Sequence, residues 1–429
     1  MTAISTDLTA RGLIHQVTDE ALLAKLDHGG VITYAGFDPT ADSLHVGSLL
    51  QLCTLRRLQL AGNQPIALAG GGTGMIGDPG GKSVERPLLS LDEIAHNVDS
   101  IREQIARFLD FDASAGSSQA VLLDNAEWLS SVRYLEFLRD VGKHFTVNQM
   151  VAKESVKSRL ERPDQGISYT EFSYMLLQAY DFAQLNERLG CTLQIGGSDQ
   201  WGNITMGIDL IRRRSGDQAY GLTSPLVTKA DGTKFGKSEG GNEKVWLDAR
   251  RTSPFRLYQF FLGVEDAVVG SYLRYFTFLD LEEIEALDLS TAQQPQARAA
   301  QRALAAAVID LIHGPTERMA AQEASRALFG GSVASLDEAT LLEVIEEAPA
   351  TTLSAHRLDE APLVVDMMTE CGLVASKSEA RRALEQGGVF VNDQPVTGID
   401  AALTRADLLH GRYVVLRKGK RSYHLLTVS

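Results

Sequence analysis

The chain has 429 residues, 44% of them hydrophobic, and a net charge of −14 from 41 Lys+Arg against 55 Asp+Glu. That length exceeds one core and predicts two or three domains. The acidic balance argues against general nucleic-acid binding, and no apolar run reaches the ~20 residues of a membrane span. The opening stretch, MTAISTDLTARGLIHQVTDE, has neither the basic nor the apolar region of a signal peptide. Cys53, Cys191 and Cys371 are far apart with no CxxC. Both features point to a reducing cytoplasm, without disulfides or a zinc site.

In chain order, VITYAGF (31–37) reads as a strand, DPTADS (38–43) as a turn, and 44–62 as a helix stopped by Gly62. PIALAGG (65–71) is a second strand, followed by the glycine-rich loop 71–83. The amphipathic stretch 91–110 predicts a helix, 120–125 and 191–197 two more strands, and 198–216 a further helix. Strands alternating with helices predict an α/β fold, a Rossmann-like parallel sheet with helices on both faces. From 250 to 350 the strand signal gives way to helices, and 348–358 reads as a linker. The tail predicts a helix at 362–370, a second at 376–388 with serine N-cap candidates and a glycine stop, and a strand–turn–strand at 389–396. Residues 361–429 hold 9 Lys+Arg against 7 Asp+Glu, so an RNA-binding part is best sought there.

Five stretches carry candidate chemistry. Gly72-Thr-Gly74-Met-Ile-Gly77 matches GxGxxG, but Asp78-Pro79-Gly80-Gly81 follows where a dinucleotide fingerprint should open a helix. GKS at 81–83 lacks the earlier glycine of a P-loop. The loop is therefore either a plain crossover or a close approach of backbone to ligand, with Asp78, Lys82 and Arg86 supplying charge. DPTADSLHVGS (38–48) joins the first strand to its helix, where open α/β sheets bind ligands. There a helix start with His45 can meet an anion, and Gly47 leaves room for a ring or ribose. YMLLQAYD (174–181) puts Tyr174, Gln178 and Asp181 on one helical face among residues that also look buried. Enclosed polar groups need partners, and a ligand is one. IGGSDQWGN (195–203) puts Asp199 and Gln200 at another strand-to-helix junction. DGTKFGKSEGG (231–241) sets Lys234 and Lys237 among glycines. By itself this is a solvated loop, but beside a bound nucleotide it can neutralise a polyphosphate.

HVGS (45–48) and KFGKS (234–238) resemble the HIGH and KMSKS signatures of class I aminoacyl-tRNA synthetases. With YAGFDPTADSLHVG, GDPGGKSVER, YMLLQAYD and LQIGGSDQWGN in the same order, the chain is similar to the bacterial tyrosyl-tRNA synthetases, and 362–427 looks like an S4-type RNA-binding domain. The resemblance implies a Rossmann-like catalytic domain at 1–235 with the KFGKS loop (230–242) at its end. It further implies an α-helical domain at 243–350, a linker at 351–361 and an S4-like α+β domain at 362–429. It implies a tyrosine–tRNA ligase: tyrosine and ATP give tyrosyl-adenylate and pyrophosphate, and the tyrosyl group passes to the 3′ end of tRNA(Tyr).

Residue by residue, the resemblance gives the phenol to Tyr34 and Asp181, and the ammonium to Asp78, Tyr174 and Gln178, with Gln200 nearby. ATP falls to Gly36, Asp38, Gly47, Ser48, Asp199, Lys237 and Ser238. Thr40 and His45 face the γ-phosphate region. Lys82, Arg86, Lys234 and Lys237 embrace the leaving pyrophosphate, aided by Ser238. Mg²⁺ would arrive with ATP, and a homodimer is expected. Lys377, Arg381 and Arg382 form a basic face for tRNA; Arg417, Lys418, Lys420 and Arg421 add a basic hairpin candidate, while the arginines at 212–214 and Lys153, Lys157 and Arg159 are candidates for guiding the acceptor stem. Ser48 stands where HIGH has its second histidine, and Ala35 where some relatives have cysteine. Three rivals remain: a tryptophan enzyme of the same fold, a dinucleotide oxidoreductase built on GTGMIG, and an RNA-binding protein without activity.

Overall fold

The computed structural model describes residues 2–78, 88–112, 118–153, 156–157, 160, 166–233, 235, 244–327, 332–346, 348–419 and 422–429. Two compact units account for the chain: Met1–Ser253 with Phe260–Ile312, and Pro254–Gln259 with His313–Ser429.

The first unit is built on a sheet of β1 (Gln16–Val17), β2 (Ile32–Phe37), β3 (Gln64–Ala69), β4 (Val121–Asp124), β5 (Leu193–Gly197) and β6 (Tyr220–Ser224), in the order β1-β6-β5-β2-β3-β4. All pairs are parallel except β1 on β6. Strands β2 to β5 lie where the sequence predicts them. β1 and β6 escape that reading: one is two residues long, and YGLTS of the other alternates nothing because all five residues are buried. Gly221 explains part of this. A Cβ there would lie 2.4 Å from Ile204 Cγ2, so the glycine lets the Trp201–Arg214 helix settle onto the sheet.

From β2 the chain runs outward through β3 and β4, then returns to place β5 on the other side of β2. This reversal opens a crevice at the C-terminal ends of β2 and β5. Two helices border it. Val46–Leu60 is enclosed, burying Val46, Leu49, Leu50, Leu52, Cys53, Leu55 and Leu58. Its last turn is held by Arg57, which donates to the Thr277 carbonyl and stacks 4.5 Å from the Phe278 ring. Burial lowers the Arg57 pKa to about 10, so it stays charged at neutral pH. Tyr169–Leu189 starts at Ser168, whose Oγ accepts from Glu171 N–H at 3.2 Å, and stops at Gly190 in the left-handed region. The stretch after 250 is helical as expected, from Pro254–Leu262 through Glu338–Val344.

In the second unit β7 (Ala350–Leu353), β8 (Val389–Val391), β9 (Gln394–Pro395), β10 (Tyr413–Lys418) and β11 (Ser422–Val428) form a sheet in the order β7-β11-β10-β8-β9. The strand–turn–strand at 389–396 is a hairpin with Asn392 and Asp393 both at positive φ, the two-residue turn whose twist suits the strands. β10 alternates: Val414 and Leu416 join the cluster under the Val364–Glu370 and Lys377–Glu385 helices, while Tyr413 and Val415 join Phe255, Leu341 and Ile345 on the other face.

The linker expected at 348–358, continued as 351–361, is not one: β7 pairs in parallel with β11, and Ala355–Asp359 is helical. Its polar, alanine-rich sequence hid an edge strand that buries only Leu353. The basic hairpin candidate is a hairpin of β10 and β11, but two of its cations are engaged. Arg417 is buried in a 2.7 Å ion pair with the equally buried Asp393 and lies 3.8 Å from the Phe390 ring centroid. Lys418 pairs with Glu379 at 2.5 Å. Lys420 and Arg421 lie outside the described residues.

Candidate functional site

At the crevice lies a cavity of about 430 Å³ lined by residues of the first unit. It gathers the sequence-predicted Tyr34, Gly36, Asp38, Thr40, His45, Gly47, Ser48, Asp78, Tyr174, Gln178, Asp181, Asp199 and Gln200. Lys82, Arg86, Lys234, Lys237 and Ser238 lie outside the described residues.

The floor is set by Tyr34 on β2, which packs on Phe182 with ring centroids 5.2 Å apart. Its hydroxyl is buried and has no partner among the described residues. Burial, and then the charge of Asp181, raises its pKa well above the usual phenol value, so it stays an O–H donor. Asp181 is held from two sides: Trp128 Nε1–H donates to Oδ1 at 2.7 Å, and Asn125 Nδ2–H to Oδ2 at 2.8 Å. Burial pushes the Asp181 carboxyl up to about 7, against the opposing pull of these two donors. Asn125 cannot turn its amide over, because its Oδ1 accepts from Gly72 N–H at 2.7 Å and its Nδ2 also serves Thr73 Oγ1 at 2.9 Å.

A second network lines the wall. Asp38 accepts from Tyr174 Oη at 2.9 Å and from Thr73 Oγ1 at 2.9 Å. Gly70 allows this, since a Cβ there would fall 2.3 Å from Asp38 Oδ1. Gln200 donates to Asp78 Oδ2 at 2.8 Å; Gln178 donates to Gln200 at 3.2 Å and accepts from Asn203 at 2.9 Å. Burial, then the charges of Asp38 and Asp78, raises the Tyr174 pKa well above its usual value.

At the third corner His45 caps the Val46–Leu60 helix: its Nδ1 accepts from Gly47 N–H at 2.9 Å. In the neutral ring the proton therefore sits on Nε2. A Cβ on Gly47 would lie 2.6 Å from His45 Cε1, so only glycine fits under that ring. Phe235, between two residues outside the described set, is planted among Phe260, Tyr272 and Phe276 with its ring 4.5 Å from that of Tyr272.

The GxGxxG reading fails on geometry. Gly71 N–H goes to Asp124 at 3.1 Å and Gly72 N–H to Asn125, so these donors already serve carboxylate and amide side chains. Sequence reasoning missed Asn125, Trp128, Thr73, Gln194 and Lys244. Asn125 had a signal, being the residue just after a strand end; Trp128 follows one helical turn on. Gln194 pairs in register with Tyr34 on the next strand and brings a buried carbonyl oxygen without a partner among the described residues.

Among the other candidates, Lys377 pairs with Asp366 at 2.9 Å, and Arg381 and Arg382 are exposed. Arg212 pairs with Asp209, Arg214 with Glu187, and Arg213 donates to the His144 carbonyl. Lys153 donates to Thr205 Oγ1 at 3.1 Å. Arg159 lies outside the described residues.

The family description "tRNA synthetases class I (W and Y)" matches residues 26–330, and "Tyrosine--tRNA ligase SYY-like C-terminal domain" matches 341–426. The chain is 55% identical to a tyrosine–tRNA ligase of Roseiflexus castenholzii, covering 99% of both chains. It is 53% identical to that of Opitutus terrae, covering 98% of this chain and 99% of the other. The fold is similar to a C-terminally truncated mitochondrial tyrosyl-tRNA synthetase of Aspergillus nidulans, with TM-score 0.68 and 34% identity over 77% of this chain and 95% of that one.

Proposed function

The chain belongs to the class I tRNA synthetases (W and Y), and within them to the tyrosine–tRNA ligases, and on that premise we propose how its cavity performs the reaction. ATP is a substrate, tyrosine the amino acid and tRNA the acceptor. The observation that carries the assignment of the pocket is the buried Tyr34 hydroxyl without a partner among the described residues, beside the doubly anchored Asp181. A phenol entering there donates to the Asp181 carboxylate and accepts from Tyr34. Phenylalanine leaves both unmet, which costs about 1–3 kcal/mol for each buried polar group. An indole has no hydroxyl for the pair, which disfavours the tryptophan reading.

The tyrosine ammonium sits among Asp78, Tyr174 and Gln178, with Gln200 bracing Asp78. The carboxylate is already an anionic nucleophile, so no covalent intermediate on the protein is needed. One of its oxygens attacks the α-phosphorus of ATP; the bond to the β-bridging oxygen breaks, and its electron pair leaves with pyrophosphate. The protein's work is positioning and charge stabilisation. Gly36, Asp38, Gly47, Ser48 and Asp199 hold the nucleotide. Thr40 and the Nε2–H of His45 address the phosphates, and Lys82, Arg86, Lys234, Lys237 and Ser238 take up the leaving pyrophosphate. Mg²⁺ would arrive on the ATP phosphates and supply further charge neutralisation there. The expected result is tyrosine-dependent ATP–pyrophosphate exchange by the purified protein, with tryptophan inert. Exchange with tryptophan alone, or none at all, would overturn the assignment.

The tail acts as an S4-like RNA-binding domain, with Arg381 and Arg382 on tRNA phosphates and Lys377 beside them. The double substitution Arg381→Ala/Arg382→Ala should weaken tRNA binding roughly tenfold and lower the slope of log K against log salt by about 1.5. An unchanged slope would remove both arginines from the interface. We also propose a homodimer in the cytoplasm. Tyr134, Leu135 and Tyr169 are 61%, 76% and 62% exposed, and the two tyrosine hydroxyls are 3.4 Å apart, an apolar face that a second copy would cover. Sedimentation of Leu135→Glu against the unmodified chain tests the face.

A further inference from the structure

One cation on the cavity wall belongs to neither signature. Lys244 lines the cavity, two residues before a backbone bridge that ties its segment to the helix start. His45 and Trp246 form an antiparallel bridge, flanked by Val46 N–H to Val245 O at 3.0 Å and Leu247 N–H to Leu44 O at 2.9 Å. Lys244 immediately precedes this bridged stretch, whose partner turns into the Val46–Leu60 helix directly after His45. Gly47 is the exposed, side-chain-free point of the helix start where the nucleotide lies. The lysine is positioned as well as placed: its Nζ is 5.1 Å from the Trp246 ring centroid, and Trp246 sets its ring edge-on to His45 at 6.3 Å.

Resting on the functional reading above, we propose that Lys244 is a further catalytic residue of adenylate formation, its ammonium contacting the phosphate chain of ATP. No proton moves through it. As the bond between the α-phosphorus and the bridging oxygen breaks, negative charge arrives on pyrophosphate, and Lys244 stabilises it from the side of the helix start, while the KFGKS lysines act from the loop. The bridge at Trp246 ties the segment that carries this cation to the helix start.

The test uses the full-length protein with preformed tyrosyl-adenylate and inorganic pyrophosphate, measuring ATP regeneration. Lys244→Met keeps the aliphatic stem over Trp246 and removes the charge. It should raise the KM for pyrophosphate roughly tenfold, the scale of one partly solvated ion contact, with tyrosine affinity unchanged. Lys244→Arg should recover most of the loss. If Lys244 only props Trp246 and His45, Lys244→Met lowers the rate at saturation without moving the pyrophosphate KM, and the proposal is overturned. If the unmodified protein forms no adenylate with tyrosine, the functional reading falls and this inference with it. If it does and Lys244→Met behaves identically, the lysine assignment alone falls.

Discussion

Asp181→Asn should lower kcat/KM for tyrosine by about 10³-fold while leaving the KM for ATP near its unmodified value. The size follows from hydrogen-bond directions. Trp128 Nε1 can only donate, and the Asn125 amide is locked by Gly72 N–H, so Asp181 faces a fixed N–H on each oxygen. An asparagine has one carbonyl. Whichever way it turns, its NH₂ meets one of those donors, and the phenol O–H loses its best acceptor. Each unmet buried group costs about 1–3 kcal/mol, and two of them reach the stated factor. Equal kcat/KM values for the two proteins in tyrosine-dependent exchange would mean that the phenol is read elsewhere.

The same carboxyl gives selectivity a pH dependence. With its pKa pushed up to about 7 by burial, Asp181 is largely protonated at pH 6 and ionised at pH 8. Only the ionised form accepts from the phenol without a competing donor, so preference for tyrosine over phenylalanine should rise across that interval and flatten in Asp181→Asn. The stability effect has the opposite slope. A carboxyl raised from 3.8 in the folded state contributes stability that is full below 3.8 and lost as pH rises through about 7. The site therefore gains recognition at the pH where it gives up stability, as expected of a charge buried for use.

Much of the pocket was legible because its residues sit where backbone geometry must change. Strand ends, helix starts and glycine-flanked turns stand out in a sequence, and Asp38, His45, Asp78 and Gln200 all occupy them. Tyr174, Gln178 and Asp181 were legible for another reason, as polar groups at helical spacing within an apolar helix. What escaped depends on contacts between distant segments. Asn125 and Trp128 matter only because β4 ends beside the Tyr169–Leu189 helix. Lys244 stands at the cavity only because the segment after it bridges to residues 44–46, about 200 positions earlier. Arg417 shows the converse. In sequence it is one of a basic run; in the fold it is a buried partner of Asp393, and a charge run says nothing about which of its members has already been neutralised.

The remaining large effect concerns the loop. Lys237→Ala should leave tyrosine binding nearly intact and slow adenylate formation by ~10²-fold or more, the scale of losing one stabiliser of transition-state charge. The chain that carries Lys237 leaves from Phe235, which lines the cavity, takes a backbone bond to Val227 O at 3.1 Å and sits in a cage of Phe260, Phe261, Tyr272 and Phe276. With that anchor, the proposed role of the lysine would be local to the phosphates. The cavity floor at Tyr34 and Asp181 is built from β2 and the Tyr169–Leu189 helix and, among the described residues, shares no hydrogen bond with Phe235. Loss of the charge should therefore appear in the rate constant for adenylate formation, measured in a single turnover, and in the pyrophosphate KM of the reverse reaction. It should be absent from the equilibrium binding of tyrosine. A single-turnover rate within a few-fold of the unmodified protein would make KFGKS an ordinary surface loop and leave the neutralisation of pyrophosphate to Lys82, Arg86 and the wall.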